Sequence, residues 1–301
     1  MNLSPAAFEK AAKFVKSYAR PIDIRLFEFY FEGGSAESVL AELAAYQNAD
    51  GGFGHGIEPD IQLAESSPMA TSVAFQYIQA VNAGIQNSMI ARAIQYLLST
   101  YRLNGEYWPP TFENVNDAPH APWWHVTELQ PPPEENWANP NAELLGYLHC
   151  YAPFVPPDVL DLVTARARRN LLSQDTIGGL MRYNVMCWQR ALPYLPSPLQ
   201  SEVRNHLRAT FAGLGTLSPH TFEEASIAWI APSPDSILAQ MQPEAVRDLL
   251  DGEIQRQAED GGWWPNWTWG QYEDAWETAK QEWAGKITVE LLHVLRQYGK
   301  A

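Results

Sequence analysis

Gln47-Asn48-Ala49-Asp50-Gly51-Gly52-Phe53 and Gln257-Ala258-Glu259-Asp260-Gly261-Gly262-Trp263 follow one pattern: Gln, two spacers, Asp-Gly-Gly, then an aromatic residue. Each copy follows a segment of helical periodicity and leads, through an aromatic or acidic loop, into another. A helix-stop phrase that recurs marks a chain assembled from repeated helix pairs. It also decides which loops share one end of such an assembly.

Outside the two copies, strand signals are scarce and helical periodicity punctuated by turns runs nearly throughout. It predicts helices near 4–19, 35–47, 67–83, 87–101, 139–152, 157–173, 179–192, 198–212, 221–230, 243–258, 271–281 and 286–298. Ser4-Pro5, Ser67-Pro68 and Asn139-Pro140 place proline at a first helical position behind a capping residue. Pro157-Asp158 and Pro243-Glu244 put proline and an acid in a first turn. Short connections alternate with longer ones at 49–66, 102–138, 174–178, 213–220 and 259–270, so the longer loops gather at one face. The helices that follow them aim positive N-terminal ends at that face. The segments opening at Thr71, Ala142 and Thr288 are dense in apolar residues, as inner helices are; 157–173 and 243–258 carry the charges of an outer ring. The expectation is an all-α fold, an α/α toroid of about six inner and five to six outer helices. It forms one domain over 1–301, with a long Trp/Pro-rich loop at 102–138.

Composition narrows the partners. The 301 residues are 46% apolar, enough for a sizeable core. The net charge of −15 argues against nucleic acid and anionic membrane surfaces, both of which require Lys/Arg patches. Two distant cysteines, Cys150 and Cys187, make neither a disulfide framework nor zinc-finger spacing and read as buried thiols. No run approaches the ~20 apolar residues of a membrane span. The start, Met1-Asn2-Leu3-Ser4-Pro5, lacks signal-peptide character. A cytoplasmic protein is expected.

The stretch Gln47 to Gly54 followed by Pro68-Met69-Ala70-Thr71-Ser72-Val73-Ala74 resembles the repeat of protein prenyltransferase β subunits and of squalene and oxidosqualene cyclases. Gln257 to Trp263, followed by Trp283 to Thr288, is similar. Degraded copies stand at Asn104 to Trp108 and at Asp175 to Leu180. The resemblance implies the toroid scaffold and an isoprenoid-like or otherwise apolar substrate. It does not imply those activities. Class II cyclases carry an Asp-x-Asp-Asp acid, which is absent here. Prenyltransferases place zinc on Asp-x-Cys, whereas Leu148 and Val185 stand two residues before the cysteines. A scaffold does not carry a reaction with it.

Three loops hold chemistry. Gly54-His55-Gly56-Ile57-Glu58-Pro59-Asp60 sets a histidine near two acids; His55 and Glu58 suit a base and its orienter, a metal pair, or a hydrogen-bonded turn. In the 102–138 loop, Asp117, His120 and His125 suit acid–base work, metal ligation or a structural lid. In Trp263-Trp264-Pro265-Asn266-Trp267-Thr268-Trp269, aromatic faces suit sugar stacking, cation stabilisation or hairpin packing. Asp117, His120, His125, Glu58 and His55 are therefore the candidate catalytic residues. Trp123, Trp124, Trp137, Trp264, Trp267 and Tyr107 are the candidate substrate wall. His220, with Glu223 and Glu224 at a helix start, belongs to the same face. No metal site is assigned, and no motif specifies a cofactor, a protein partner or an oligomeric state. The partner expected is a small molecule in the toroid mouth. Three functions compete: an acid–base enzyme on an apolar substrate, a glycosidase or lyase, and a non-catalytic binding scaffold.

Overall fold

The computed structural model describes residues 1–179, 181–218, 221–222 and 226–301. His220, Glu223 and Glu224 lie outside the described residues, as does Leu180 of the last degraded repeat. Among the described residues there are thirteen α-helices, five short 3-10 helices and four isolated β-bridges, with no strand. The all-α class is as expected. The helices are α1 Pro5–Tyr18, α2 Pro21–Phe31, α3 Ala36–Leu43, α4 Pro68–Ala80, α5 Ser88–Thr100, α6 Ala138–Cys150, α7 Pro157–Leu172, α8 Met181–Ala191, α9 Leu199–Gly213, α10 Ile227–Ile230, α11 Ile237–Met241, α12 Pro243–Gln255 and α13 Glu273–Gln297. None of them is long and apolar enough to cross a membrane.

The caps follow the sequence signals. Ser4 Oγ accepts from Ala7 N at 3.1 Å and Ser67 Oγ from Ala70 N at 3.0 Å, each ahead of a proline at the helix start. Asn139 departs from that pattern: it has extended dihedrals, makes no cap hydrogen bond and joins Pro140 through a cis peptide.

Two helices stand where none is predicted, α2 and the short α11. The text of α2, Pro21-Ile22-Asp23-Ile24-Arg25-Leu26, alternates apolar and polar residues as a strand does. Pro21 at the first position starts a helix instead, and Ile22, Leu26 and Phe27 bury one stripe of it. Conversely, the predicted helices 271–281 and 286–298 are one helix, α13. Gly285 reads as a break, yet a Cβ there would lie 2.6 Å from the Ala19 Cβ. It is a close-packing residue inside a continuous helix. Of the helix predicted at 221–230, Ile227–Ile230 form α10, and 223–225 lie outside the described residues.

The chain divides into two compact units: unit 1, Met1–Glu42 with Phe211–Ala301, and unit 2, Leu43–Thr210. In unit 2 the core holds Phe53, Ile57, Phe75, Trp108, Trp137 and Trp188, all fully buried. Helix α6 meets α8 where a Cβ on Gly146 would sit 2.6 Å from the Ala191 Cα, so only glycine permits the approach. In unit 1, α1 and α2 pack on α13 around Phe14, Phe27 and Trp263. Leu3 N donates to Lys300 O at 2.7 Å, and Lys300 Nζ pairs with Asp251.

The repeated phrase builds the same turn in each unit. In unit 2, Gln47 Nε2 donates to Gly51 O and to Met89 O in α5, both at 2.9 Å, and Gly52 N donates to Asp50 Oδ1 at 2.9 Å. Phe53 N donates to Thr71 Oγ1 at 3.1 Å, and Thr71 Oγ1 donates to Ser67 O at 2.8 Å. In unit 1, Gln257 Nε2 donates to Gly261 O at 2.9 Å and to Ala7 O in α1 at 3.0 Å, and Gly262 N donates to Asp260 Oδ1 at 2.9 Å. Trp263 N donates to Thr288 Oγ1 at 2.9 Å, and Thr288 Oγ1 donates to Ala284 O at 2.7 Å. The first glycine of each pair takes a positive φ, 92° at Gly51 and 97° at Gly261, with its α-carbon against the backbone of Arg92 or Lys10. A degraded copy keeps the anchor with a different residue. Trp108 N donates to Asn141 Oδ1 at 2.6 Å, and Asn141 Nδ2 donates to Trp137 O at 2.8 Å.

Removing an anchor oxygen without changing side-chain shape leaves a buried backbone N–H unpaired, which costs about 1–3 kcal/mol. Thr71→Val and Thr288→Val are each expected to lower the unfolding free energy by that amount. The measurement is the urea midpoint of each variant at unchanged slope.

Candidate functional site

In unit 2 the first two chemistry-bearing loops meet. The segment after the Gly51-Gly52 turn runs beside the 118–121 segment through an antiparallel bridge between Ile61 and His120. Gln62 N donates to Pro119 O at 3.0 Å and Ala121 N to Asp60 O at 2.9 Å. Glu58, Asp60 and His120, on the paired segments, are each buried, at 6%, 5% and 2% exposed. Below them lie Ile61, Leu63, Met69 and Val115, with Trp124 and Val126 packed against that cluster. The 110–126 loop is braced by a reciprocal pair: Asn116 Nδ2 donates to Val126 O at 2.7 Å and Val126 N to Asn116 Oδ1 at 3.1 Å. A loop this aromatic and this well braced is ordered by its own side chains.

His120 and His125 come together. His120 Nδ1 lies 2.7 Å from Ala118 O, which can only accept, so Nδ1 carries the proton and Nε2 is the acceptor in the neutral ring. That Nε2 lies 3.4 Å from His125 Nδ1. The ring planes are 18° apart with centroids 5.6 Å apart, so the rings meet edge to edge, not face to face. His125 is exposed, and its far nitrogen is the one turned away from the pair. A buried histidine thus orients an exposed one.

The other candidates are dispersed. His55, exposed at a φ of 54°, joins Asn48 Oδ1 at 2.9 Å and serves the repeat turn. Asp117 is exposed at the end of the 3-10 helix Glu113–Asp117. Trp123 is 50% exposed, next in sequence to the half-buried Trp124. Trp137 is fully buried, donates to Glu106 O at 3.0 Å and lies under the Arg166 guanidinium at 4.8 Å. Tyr107 is buried in the degraded turn, its N and O paired with Arg102. Among the described residues, no group of three or more His, Cys, Asp or Glu is placed to hold a metal ion.

In unit 1 the tryptophans of the 263–269 loop separate. Trp263 is core and donates to Glu253 O at 2.7 Å. Trp264 donates to Asp260 Oδ2 at 3.0 Å and meets Phe14 edge-on. Trp267 packs on Trp283 at 5.3 Å and Trp229 at 6.4 Å, while Trp269 packs on Trp276. Trp229 Nε1 donates to Glu290 Oε2 at 2.8 Å, and Glu290 also pairs with Lys286. Further along α13, His293 stacks on Tyr30 at 3.8 Å beside Arg296. Burial, reinforced by the Arg296 charge, pushes the His293 pKa down to about 4.

The sequence reading missed a second assembly in unit 2, centred on Glu143 of α6, which is 2% exposed. Glu143 Oε1 accepts from Gln76 Nε2 at 3.0 Å and Tyr147 OH at 2.6 Å. Its Oε2 accepts from Arg190 Nη1 at 3.0 Å and Cys187 Sγ at 3.7 Å. Gln79 extends the network, donating to Tyr151 OH at 3.0 Å and accepting from Tyr194 OH at 2.8 Å. Burial and the adjacent carboxylate hold both the Tyr147 hydroxyl and the Cys187 thiol well above their ordinary pKa values. Cys187 is therefore a thiol donor, not a nucleophile. The signal available in the sequence was a lone acid in the apolar run Ala142-Glu143-Leu144-Leu145.

Compared with known proteins, the chain matches no family model, no curated protein and no solved structure.

Two outcomes follow from this geometry. His125→Ala is expected to leave the melting temperature within a degree or two of the parent, whereas His120→Ala, which empties a buried hydrogen-bonded position, lowers it by several degrees; differential scanning calorimetry separates them. For His293, the unfolded chain takes up a proton near 6.5 that the folded chain refuses until about 4. Over that window the unfolded state binds more protons, so stability falls as pH falls. His293→Gln is expected to flatten the decline in melting temperature between those two pH values.

Proposed function

We propose that the chain is an enzyme on an α/α-toroid scaffold that acts on a small uncharged molecule by histidine acid–base chemistry at the 110–126 loop. The scaffold reading rests on the resemblance of the repeat and on one correspondence. The turn at 47–53 contacts α5 at Met89, Arg92 and Tyr96; the turn at 257–263 contacts α1 at Ala7, Lys10 and Phe14, in the same spacing. The N-terminal helix thus stands to the turn of unit 1 as α5 stands to the turn of unit 2, which is the relation expected of repeated helix pairs.

The catalytic reading is carried by the His120–His125 pair. A base needs a partner that fixes its tautomer, and the Ala118 carbonyl and His120 supply that in series. His125 is the base and His120 its orienter. Their 3.4 Å separation is long, and hydrogen bonds of this kind tighten when substrate binds. Trp123, half-exposed two residues before His125, offers a flat wall for the substrate. The resemblance supports an isoprenoid-like substrate; the net charge of −15 supports an uncharged one.

The test is a thermal-shift screen of the full chain, with and without chelator, against isoprenoid alcohols, isoprenoid diphosphates and neutral oligosaccharides. Turnover of any stabilising compound is then compared in the parent and in His125→Ala. Loss of turnover of about a hundredfold or more, at unchanged stability, is expected. Full activity in His125→Ala, or silence from every ligand set, would sink the acid–base reading and leave a binding scaffold.

A further inference from the structure

The Glu143 assembly is not used by the loop chemistry. Helix α4 buries every residue except Gln76, Gln79 and Ala80. Ser72, Gln76 and Gln79 follow four-then-three spacing and so occupy one face. Glu143, Gly146 and Cys150 share one face of α6 by three-then-four spacing, as do Tyr183, Cys187 and Arg190 on α8 by four-then-three. Gly146 draws α6 onto α8 at Ala191, which brings Glu143, one turn before the glycine, against Cys187 and Arg190. Three inner-type helices therefore turn polar stripes toward one another where the rest of their surfaces is packed.

A buried charge network costs desolvation energy, and an apolar substitute would serve packing as well or better. Its chemistry states what it suits. Glu143 accepts from four donors, which fills the acceptor sites of a carboxylate and leaves nothing for a cationic ligand. Arg190 is already paired with Glu143, and the carboxylate repels a second anion. A purely apolar ligand would strand the amide of Gln76 and the side chain of Arg190, which is 32% exposed. Ser72 adds an independent sign: its hydroxyl, on the same stripe one turn before Gln76, is buried with no hydrogen-bond partner. The group that suits all of these is one that both donates and accepts and bears no charge.

We propose that the α4–α6–α8 face of unit 2 binds a neutral, hydroxyl-rich ligand of the oligosaccharide or polyol class, contacted by Gln76, Arg190 and Ser72. Glu143 is a positioning residue: it fixes the Gln76 amide and the Arg190 guanidinium and does not itself touch the ligand. This site stands whether or not His125 is a base.

The experiment uses the full chain with maltotriose, cellotriose and xylotriose at ~10 mM, and farnesol and citrate as apolar and anionic comparisons, read by thermal shift and by calorimetric titration. At least one sugar is expected to bind, and Gln76→Ala and Arg190→Lys are expected to weaken it about tenfold. Hydrogen exchange on the unsubstituted protein, which does not depend on a variant folding, is expected to show sugar-dependent protection in α4, α6 and α8. Absence of binding by all three sugars overturns the proposal. So does protection confined to other segments, or affinity unchanged in both variants. Binding of farnesol or citrate alone at this face overturns the ligand class.

Discussion

A threonine or asparagine oxygen that accepts from one loop and stays tethered to its own helix is the constraint on which the rest of the structure depends. Thr71, Asn141 and Thr288 each receive the backbone N–H of the aromatic residue that ends a turn. Each also donates to the carbonyl four residues earlier, at Ser67, Trp137 or Ala284. The N–H is buried, so water cannot replace the bond, and the turn has one position relative to the helix that follows. Thr210 repeats the device in weaker form: its hydroxyl accepts from Ile177 N at 2.9 Å and donates to His206 O at 2.8 Å. Once the aromatic is pinned, the glutamine or glycine before it can reach only one neighbouring helix, α5 in unit 2 and α1 in unit 1.

That constraint explains where chemistry has room. The residues of the repeated phrase are spent on the turn itself: the glutamine on two carbonyls, the aspartate on a glycine N–H and the aromatic on the core. What the pinned turn leaves over is the segment beyond it. In unit 2 this segment pairs with 118–121, the stretch that holds the buried His120. In unit 1 the corresponding segment is the tryptophan loop, whose rings distribute over three separate contacts. The same turn in two places thus leads into a histidine pair in one unit and aromatic packing in the other.

Both polar assemblies of unit 2 obey one rule, that a buried polar group is retained where neighbours satisfy it. His120 is satisfied on one side by a carbonyl and on the other by a second histidine that reaches solvent. Glu143 is satisfied on all sides by donors from three helices. The first arrangement ends in an exposed imidazole. The second closes on itself, each carboxylate oxygen accepting two donors.

Much of this was legible in the chain. Ser4-Pro5 and Ser67-Pro68 announce their helices because a cap is a contact between residues three apart. The Asp-Gly-Gly turns are equally local, since a positive φ and an Asp-to-Gly hydrogen bond need no distant partner. The sequence also singled out the loop that holds His120 and His125, because its length and aromatic content are properties of the segment alone. Tertiary structure alone decided the rest. Strand-like text became α2 because burial of Ile22, Leu26 and Phe27 on one stripe outweighed local alternation. Gly285, a break by propensity, became the interior of α13 because Ala19 packs against it. The Glu143 network joins positions 76, 143, 187 and 190, and the histidine layer joins 58–62 to 118–125. Neither has a local signature, because the energy that holds a buried charge or a fixed tautomer comes from residues the fold, not the sequence order, makes neighbours.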